Sequence, residues 1–366
     1  MRTDVVILGG GPAGVAAALS LRRLRPQSRV VLVESGGHEP CRCGETLPPG
    51  CRPILESLGC WDQFRAENFP EAYSTSAVWS CAAPYENEFL YSARGSGWYL
   101  DRGRFDSMLR TCAEQRGVAV LRNARFADSQ QSDSGWKLAI RHCEARVEIA
   151  SAFVIDATGR NSSFARRQGA RTIPDDRLIG VVGVLRCGSG VLPTLVESQL
   201  DGWWYSTRIP GPRLVVAWMS DSDLVRTQSM CDGNRWTERL RQSRLTAERI
   251  SEARLEMPLR VFAAHSQRLE PAAGSGWAAA GDAASTCDPL ASQGILRALR
   301  TGKMASFAAV DFIEGRSPSL AKYNRMIASE YAAYCETKTW YYSLEQRWPN
   351  AVFWSRRMNR RSGQAA

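Results

Sequence analysis

GGGPAG at residues 9–14, set directly behind DVVIL at residues 4–8, decides the fold. The four residues after Asp4 are a continuous apolar run, the pattern of a parallel strand buried on both faces. A helical run over residues 15–24 follows and ends in charged residues, and RVVLVE at 29–34 reads as a second strand. Each glycine serves a distinct physical purpose. Gly9 makes the tight turn, Gly11 lets the backbone approach a pyrophosphate, and Gly14 lets helix and strand pack closely. Pro12 and Ala13 lie in the turn, and the helix that follows offers free N–H groups and a positive dipole end to phosphate. Glu34, with Ser35 beside it, lies twenty residues after Gly14. It is placed to accept hydrogen bonds from ribose hydroxyls. Strand, glycine turn, helix, second strand and acid together make a dinucleotide-binding unit. The motif alone does not choose between NAD and FAD.

Working outward, WYLDRGRFD at 98–106 leads into a helix ending near Gly117. FVIDATGR at 153–160 is an apolar strand closing in a glycine turn. Residues 277–280 form another buried strand, which runs into GDAA at 281–284, then DPLASQG at 288–294, then a helix from Ile295. Stretches 178–185, 202–209 and 213–219 alternate as an antiparallel sheet with one covered face does. The fold class is therefore α/β: a Rossmann-like nucleotide-binding domain interleaved with an antiparallel β-sheet substrate domain and a C-terminal helical tail. The expected division is 1–50, 98–172 and 266–315 for the first domain, 51–97 and 173–265 for the second, and 316–366 for the tail.

Composition narrows the function classes. The 366 residues suffice for one large domain or two interleaved ones. No apolar run spans a bilayer, and residues 5–21 lack a signal-peptide exit, so a cytoplasmic protein with no membrane span is expected. The formal net charge is +10. A basic surface suits an acidic peptide, a carrier protein or nucleic acid, but no nucleic-acid motif is present, so no nucleic-acid partner is expected. The eleven cysteines are irregularly spaced, with Cys41 and Cys43 the only close pair, and the histidines are His38, His142 and His265. That set predicts inert thiols and no metal site.

The order GGGPAG, DRGRFD, VIDATGR, GDAASTCDPLASQG resembles the FAD-dependent monooxygenase superfamily of aromatic hydroxylases, tryptophan halogenases and geranylgeranyl reductases. The resemblance implies FAD as cofactor, with Gly281 and Asp282 at the ribityl chain. It places Pro289, Gln293 and Gly294 beside the flavin pyrimidine, where a helix N-terminus stabilises negative charge on the reduced ring. Arg102 matches an arginine that reaches the cofactor. Gly44 and Glu45, in CGETLPP at 43–49, match a loop that runs along the isoalloxazine. NAD(P)H is implied as a transient reductant and O2 as co-substrate. No second GxGxxG follows a strand, so an external flavin reductase stays open as the electron source.

Halogenases of this group use a lysine shortly after that loop, and this chain has none before Lys137. Their GWxWxIP motif is also replaced by GWWYSTRIP at 202–210. Halogenation is therefore disfavoured. CGETLPP, DGWWYS, LVVAWMSD and the aromatic tail at 340–354 resemble flavoproteins of the LodB, GoxB and QhpG type, which mature tryptophylquinone enzymes. That resemblance implies hydroxylation of a tryptophan held in a protein or peptide, through a flavin C4a-hydroperoxide. The protein then has to position the ring, exclude water and stabilise the anionic flavin. No catalytic residue is assigned; Glu45, Trp203, Trp204 and Tyr205 are the pocket candidates, since an aromatic wall suits a planar apolar substrate. Three alternatives remain: a monooxygenase of a free or carrier-bound small aromatic, a geranylgeranyl-reductase-like reductase, and a flavoprotein that binds a partner without turnover.

Overall fold

The computed structural model describes residues 1–36, 46–89, 95–143, 145–187, 193–250, 254–316 and 318–358. Gly44 and Glu45, with Cys41, Cys43 and His38, lie outside the described residues.

The first apolar run becomes the strand Arg2–Leu8, whose Val5, Val6 and Ile7 are fully buried. It pairs in parallel with Ala145–Asp156 on one side and Val30–Val33 on the other. Trp277–Ala279 extends the parallel array beyond Ala145–Asp156, and Ala119–Leu121 extends it beyond Val30–Val33. The register sets Leu8 opposite both Val33 and Asp156, and Asp156 opposite Ala279. The carboxyl ends of these strands are thus brought to one edge, where ligands of open α/β sheets bind. The helices Pro12–Leu24 and Gly294–Ile313 pack together over the sheet, through Val15, Ala16 and Leu19 of one and Leu299, Ala305 and Ala309 of the other.

The second sheet is built on Leu178–Arg186, Arg213–Asp221, Gly202–Ile209 and Thr194–Gln199, paired antiparallel in that order. Ser74–Val78 joins its edge in parallel. Both faces of this sheet are covered, not one as its alternation suggested. Trp204, Trp218 and Val181 pack under Trp236 and Leu240 of the helix Gly233–Arg241. On the other face Trp203 packs under Tyr342, Phe353 and Trp354 from the C-terminal segment, in one apolar cluster with Val182 and Val215. The physical reason is visible in RLVVAWM, whose apolar residues fall on both faces of the strand and exclude water from each.

Residues 51–69, placed with the second sheet on sequence grounds, pack instead into the first core. Leu55, Phe64 and Phe69 are buried there, Phe64 meeting Trp98 and Phe105 edge-on at centroid distances of 5.3 and 6.0 Å. Short helices over Arg52–Ser57 and Trp61–Ala66 present these side chains inward. The helix Ser319–Ser343 bridges the two cores, burying Tyr323 and Ile327 in the first and Tyr342 in the second. Among the described residues, no helix is long and apolar enough to cross a membrane.

Candidate functional site

A cavity of about 910 Å³ runs from the carboxyl ends of the parallel strands to one face of the second sheet. Its volume lies near the top of the roughly 300–1,000 Å³ range of cofactor and small-molecule sites. Leu8, Val33, Ala157 and Ala280 mark the strand ends along its wall.

The glycine loop forms the first stretch. Gly9 has φ +112°, and a Cβ there would stand 2.1 Å from the Ala157 carbonyl oxygen, so both conformation and space demand glycine. A Cβ on Gly14 would stand 1.8 Å from the Gly9 oxygen. Gly14 is therefore a packing residue and does not line the cavity. Gly11 is the opposite case: nothing lies within 4 Å of its Cβ position. It precedes the helix Pro12–Leu24 with no side-chain cap, leaving the first-turn N–H groups to the cavity that Pro12 and Ala13 line. That uncapped, open cradle fits the diphosphate of a dinucleotide.

Glu34 and Ser35 line the same end. Glu34 Oε2 accepts the Gly10 N–H at 2.6 Å, which ties the second strand to the glycine loop and holds the carboxylate at the cavity edge.

Arg102 opens the helix Arg102–Gln115, where Asp101 caps by accepting the Arg104 N–H at 3.0 Å. Its guanidinium lies 3.4 Å from the buried Asp106 carboxylate, which fixes its direction along the cavity wall. Asp282 is on that wall too. Loss of solvation there raises its carboxyl pKa, and the guanidiniums of Arg160, Arg102 and Arg297 oppose the rise. Gly281 sits just behind, at φ +62°, where a Cβ would press to 2.7 Å from the Ala13 Cβ.

Further along, the Asp288 carboxylate accepts the Leu290 N–H at 2.9 Å and so closes the turn Pro289–Ala291. Pro289, Gln293 and Gly294 line the cavity where the helix Gly294–Ile313 begins, again without a side-chain cap. A twenty-residue helix thus aims its positive end at the cavity. The far end of the cavity is apolar: Val182, Val215, Met219 and Phe262 enclose it with Tyr205, around the small residues Gly180 and Ala217.

Two of the aromatic candidates are corrected by this arrangement. Trp203 and Trp204 are fully buried and do not line the cavity. Trp204 points to the opposite face of its strand, 4.9 Å from Trp218 and 5.3 Å from Trp236. Trp203 shares a face with Tyr205 but is capped by the C-terminal helix, donating its Nε1–H to Tyr342 Oη at 3.1 Å. The two-residue period of the strand made one of the three aromatics face away, and the tail covered a second.

Sequence reasoning missed the anchor of the VIDATGR segment. Asp156 is fully buried, and its carboxylate accepts N–H groups of Thr158, Phe164 and Ala165 at 3.0, 2.9 and 2.8 Å. This shapes the loop that carries Thr158, Arg160, Asn161 and Ser163 to the cavity wall. Ser162 Oγ then donates to the Ala283 carbonyl at 2.9 Å, which joins this loop to the GDAA turn. An aspartate closing an apolar strand before Thr and Gly was the available signal.

The comparisons with known proteins agree with this geometry. The FAD binding domain family matches residues 2–300. LodB of Marinomonas mediterranea, described as an FAD-dependent oxidoreductase, is 30% identical over 97% of this chain and 96% of its own. Among solved structures, the flavin-dependent halogenase CmlS superposes with a TM-score of 0.87 at 26% identity, covering 98% of this chain and 68% of its own. QhpG, a peptidyl tryptophan dihydroxylase essential for tryptophylquinone cofactor biogenesis, superposes with a TM-score of 0.79 at 21% identity, covering 100% and 80%.

Proposed function

The chain belongs to the FAD binding domain family and is an FAD-dependent oxidoreductase, and from that premise we propose that it hydroxylates an aromatic, tryptophan-like ring carried by a protein or peptide partner. The observation that carries the reading is the apolar far end of the cavity. There Tyr205 and Phe262 join Val182, Val215 and Met219 around the small residues Gly180 and Ala217, an apolar wall that suits a planar ring. The shared fold with QhpG, a peptidyl tryptophan dihydroxylase, supports the peptidyl substrate.

In this reading each wall residue has one role. The N–H groups behind Gly11 hold the FAD diphosphate, and Glu34 the adenosine ribose. Asp282 accepts from a ribityl hydroxyl, with Arg102 close by. The uncapped start of the helix Gly294–Ile313 would lie beside the bound flavin and stabilise negative charge on it. When bound, FAD would supply the activation of O2 needed for transfer of one oxygen atom, with NAD(P)H or a separate reductase as the electron source.

Halogenation is the second reading, favoured by the likeness to CmlS. Against it, none of Lys137, Lys303, Lys322 and Lys338 lines the cavity. One experiment separates the two. The FAD-loaded protein is incubated with NAD(P)H, O2, bromide and a tryptophan-containing peptide, and the peptide is weighed by mass spectrometry. A gain of one or two oxygen atoms is expected. Bromine incorporation, or a peptide of unchanged mass, overturns the proposal.

A further inference from the structure

A second cavity, of about 500 Å³, lies beside the C-terminal helix and is bounded by Asp176, Asp221, Lys338, Tyr342 and Arg357. A hydrogen bond joins one residue of each wall. Asp288 belongs to the wall of the first and Tyr342 to the wall of the second. Tyr342 Oη donates to Asp288 Oδ2 at 2.7 Å.

Burying a carboxyl and a phenol here is costly, and two apolar side chains would pack the same space at less cost. Asp288 is 2% exposed and Tyr342 1%. The surrounding contacts hold both groups in one geometry. Trp203 Nε1 donates to Tyr342 Oη, the Leu290 N–H donates to Asp288 Oδ1, and the Asp288 N–H donates to Tyr334 Oη at 2.7 Å. Lys338 is four residues before Tyr342 on the helix Ser319–Ser343, so both lie on one helix face. Its Nζ donates to Asp176 Oδ2 and to Ser266 Oγ, both at 2.9 Å.

The surroundings of the pair disfavour a charge on either group. Burial, then Asp176, raises the Asp288 carboxyl, and Lys338 opposes them. Burial, then Asp288, raises the Tyr342 phenol, and Arg357 opposes them. Cys287 and Tyr334 complete the set, both pushed up by burial. A carboxyl with raised proton affinity in direct contact with a phenol passes a proton without creating a long-lived charge.

We propose that Asp288 and Tyr342 relay protons between the flavin cavity and the second cavity. A proton from the solvent of the second cavity reaches Tyr342 Oη as the phenol proton passes to Asp288 Oδ2. Asp288 then releases its proton into the first cavity, and rotation of the phenol hydroxyl resets the pair. Two protons shift together in the first step, the net transfer is one proton, and no electron moves. The need arises from flavin chemistry itself: an anionic reduced flavin, dioxygen and one proton give oxidised flavin and hydrogen peroxide. The relay rests on FAD occupying the first cavity, and is independent of which ring is hydroxylated.

The test uses the FAD-loaded chain, reduced anaerobically by light and mixed with O2 in weak buffer containing a pH-indicator dye. Flavin absorbance follows the electrons and the dye follows the proton. FAD occupancy is measured beforehand, so failure to bind flavin is seen separately from failure of the relay. In Asp288→Asn and Tyr342→Phe, proton uptake is expected to slow by about tenfold or more, with the double variant no slower than the slower single. Uptake at the unmodified rate in either flavin-loaded variant overturns the proposal. The unmodified protein provides a measurement that needs no variant. Two protons in flight give a bowed dependence of uptake rate on deuterium fraction, and a straight line overturns the relay.

Discussion

Gly302, on the helix Gly294–Ile313, lies against the backbone of Ala13 on the helix Pro12–Leu24: a Cβ at 302 would stand 2.1 Å from the Ala13 carbonyl oxygen. Beside it, Thr301 Oγ1 accepts the Gly281 N–H at 2.8 Å. The helix that begins at the end of the last motif is therefore seated on the helix of the first, with the GDAA turn held between them. Gly302→Ala has to push the two helices apart. We expect a loss of about 1–3 kcal/mol of stability, the usual cost of overpacking a tight contact, together with weaker FAD binding. Thermal melting and the flavin-to-protein absorbance ratio check this; an unchanged pair of values refutes it.

Asp282 lies on the cavity wall facing three guanidiniums, and in the proposed function it holds the ribityl chain. Removing a charged acceptor costs about 1.5–3 kcal/mol, so Asp282→Ala is expected to weaken FAD roughly 10- to 100-fold. Titration of the apoprotein with FAD measures it. Retention of FAD at full affinity would move the ribityl site elsewhere.

Trp204 and Tyr205 are neighbours in the chain and serve opposite sides of one strand. Tyr205→Leu is expected to raise KM for the aromatic substrate with little change in melting temperature, since Tyr205 lines the cavity. Trp204→Leu is expected to lower the melting temperature and leave KM unchanged, since Trp204 packs only in the core with Trp218 and Trp236. Exchange of the two phenotypes would contradict the assigned faces.

The C-terminal helix Val352–Met358 is tied to the second sheet by Arg356, which donates to Asp221 at 2.8 Å and to Asp223 at 2.9 and 2.7 Å. The hydrogen bonds from Arg356 hold the Asp223 carboxyl down at about 2, from an ordinary value of 3.8. A carboxyl with a depressed folded pKa stabilises fully above its unfolded value and loses that contribution as pH falls through the folded one. The difference in melting temperature between the unmodified chain and Arg356→Met should therefore be constant above about pH 5 and shrink between about pH 4 and pH 2. A difference that stays flat to pH 2 would show that the pair does not anchor the tail.

Much of the cofactor half of the site was legible residue by residue. A glycine turn between an apolar strand and a helix, and an acid at the end of the next strand, are local patterns, and each is dictated by backbone geometry within a few positions. Gly9, Gly11, Pro12, Ala13 and Glu34 were read from their own neighbourhoods, Arg102, Asp282 and the segment 289–294 from likeness to a family, and the structure sets them along one cavity wall. Asp156 was less legible, because its partners at 158, 164 and 165 declare themselves only when the loop closes over it.

By itself the sequence determined the α/β class, the strand and helix order and the dinucleotide-binding turn, since hydrophobic period and turn chemistry act over short distances; FAD was read from the likeness of its further motifs to a known family. Only the tertiary structure decided which aromatics face the cavity. A strand alternates every residue, and whether a given face meets ligand or core depends on what a distant segment lays over it. Here Phe353 and Trp354 of the tail cover Trp203, and Tyr342, more than a hundred residues from that strand, reaches Asp288. Burial of that pair is a property of two packed sheets and one long helix, and no local pattern could have announced it.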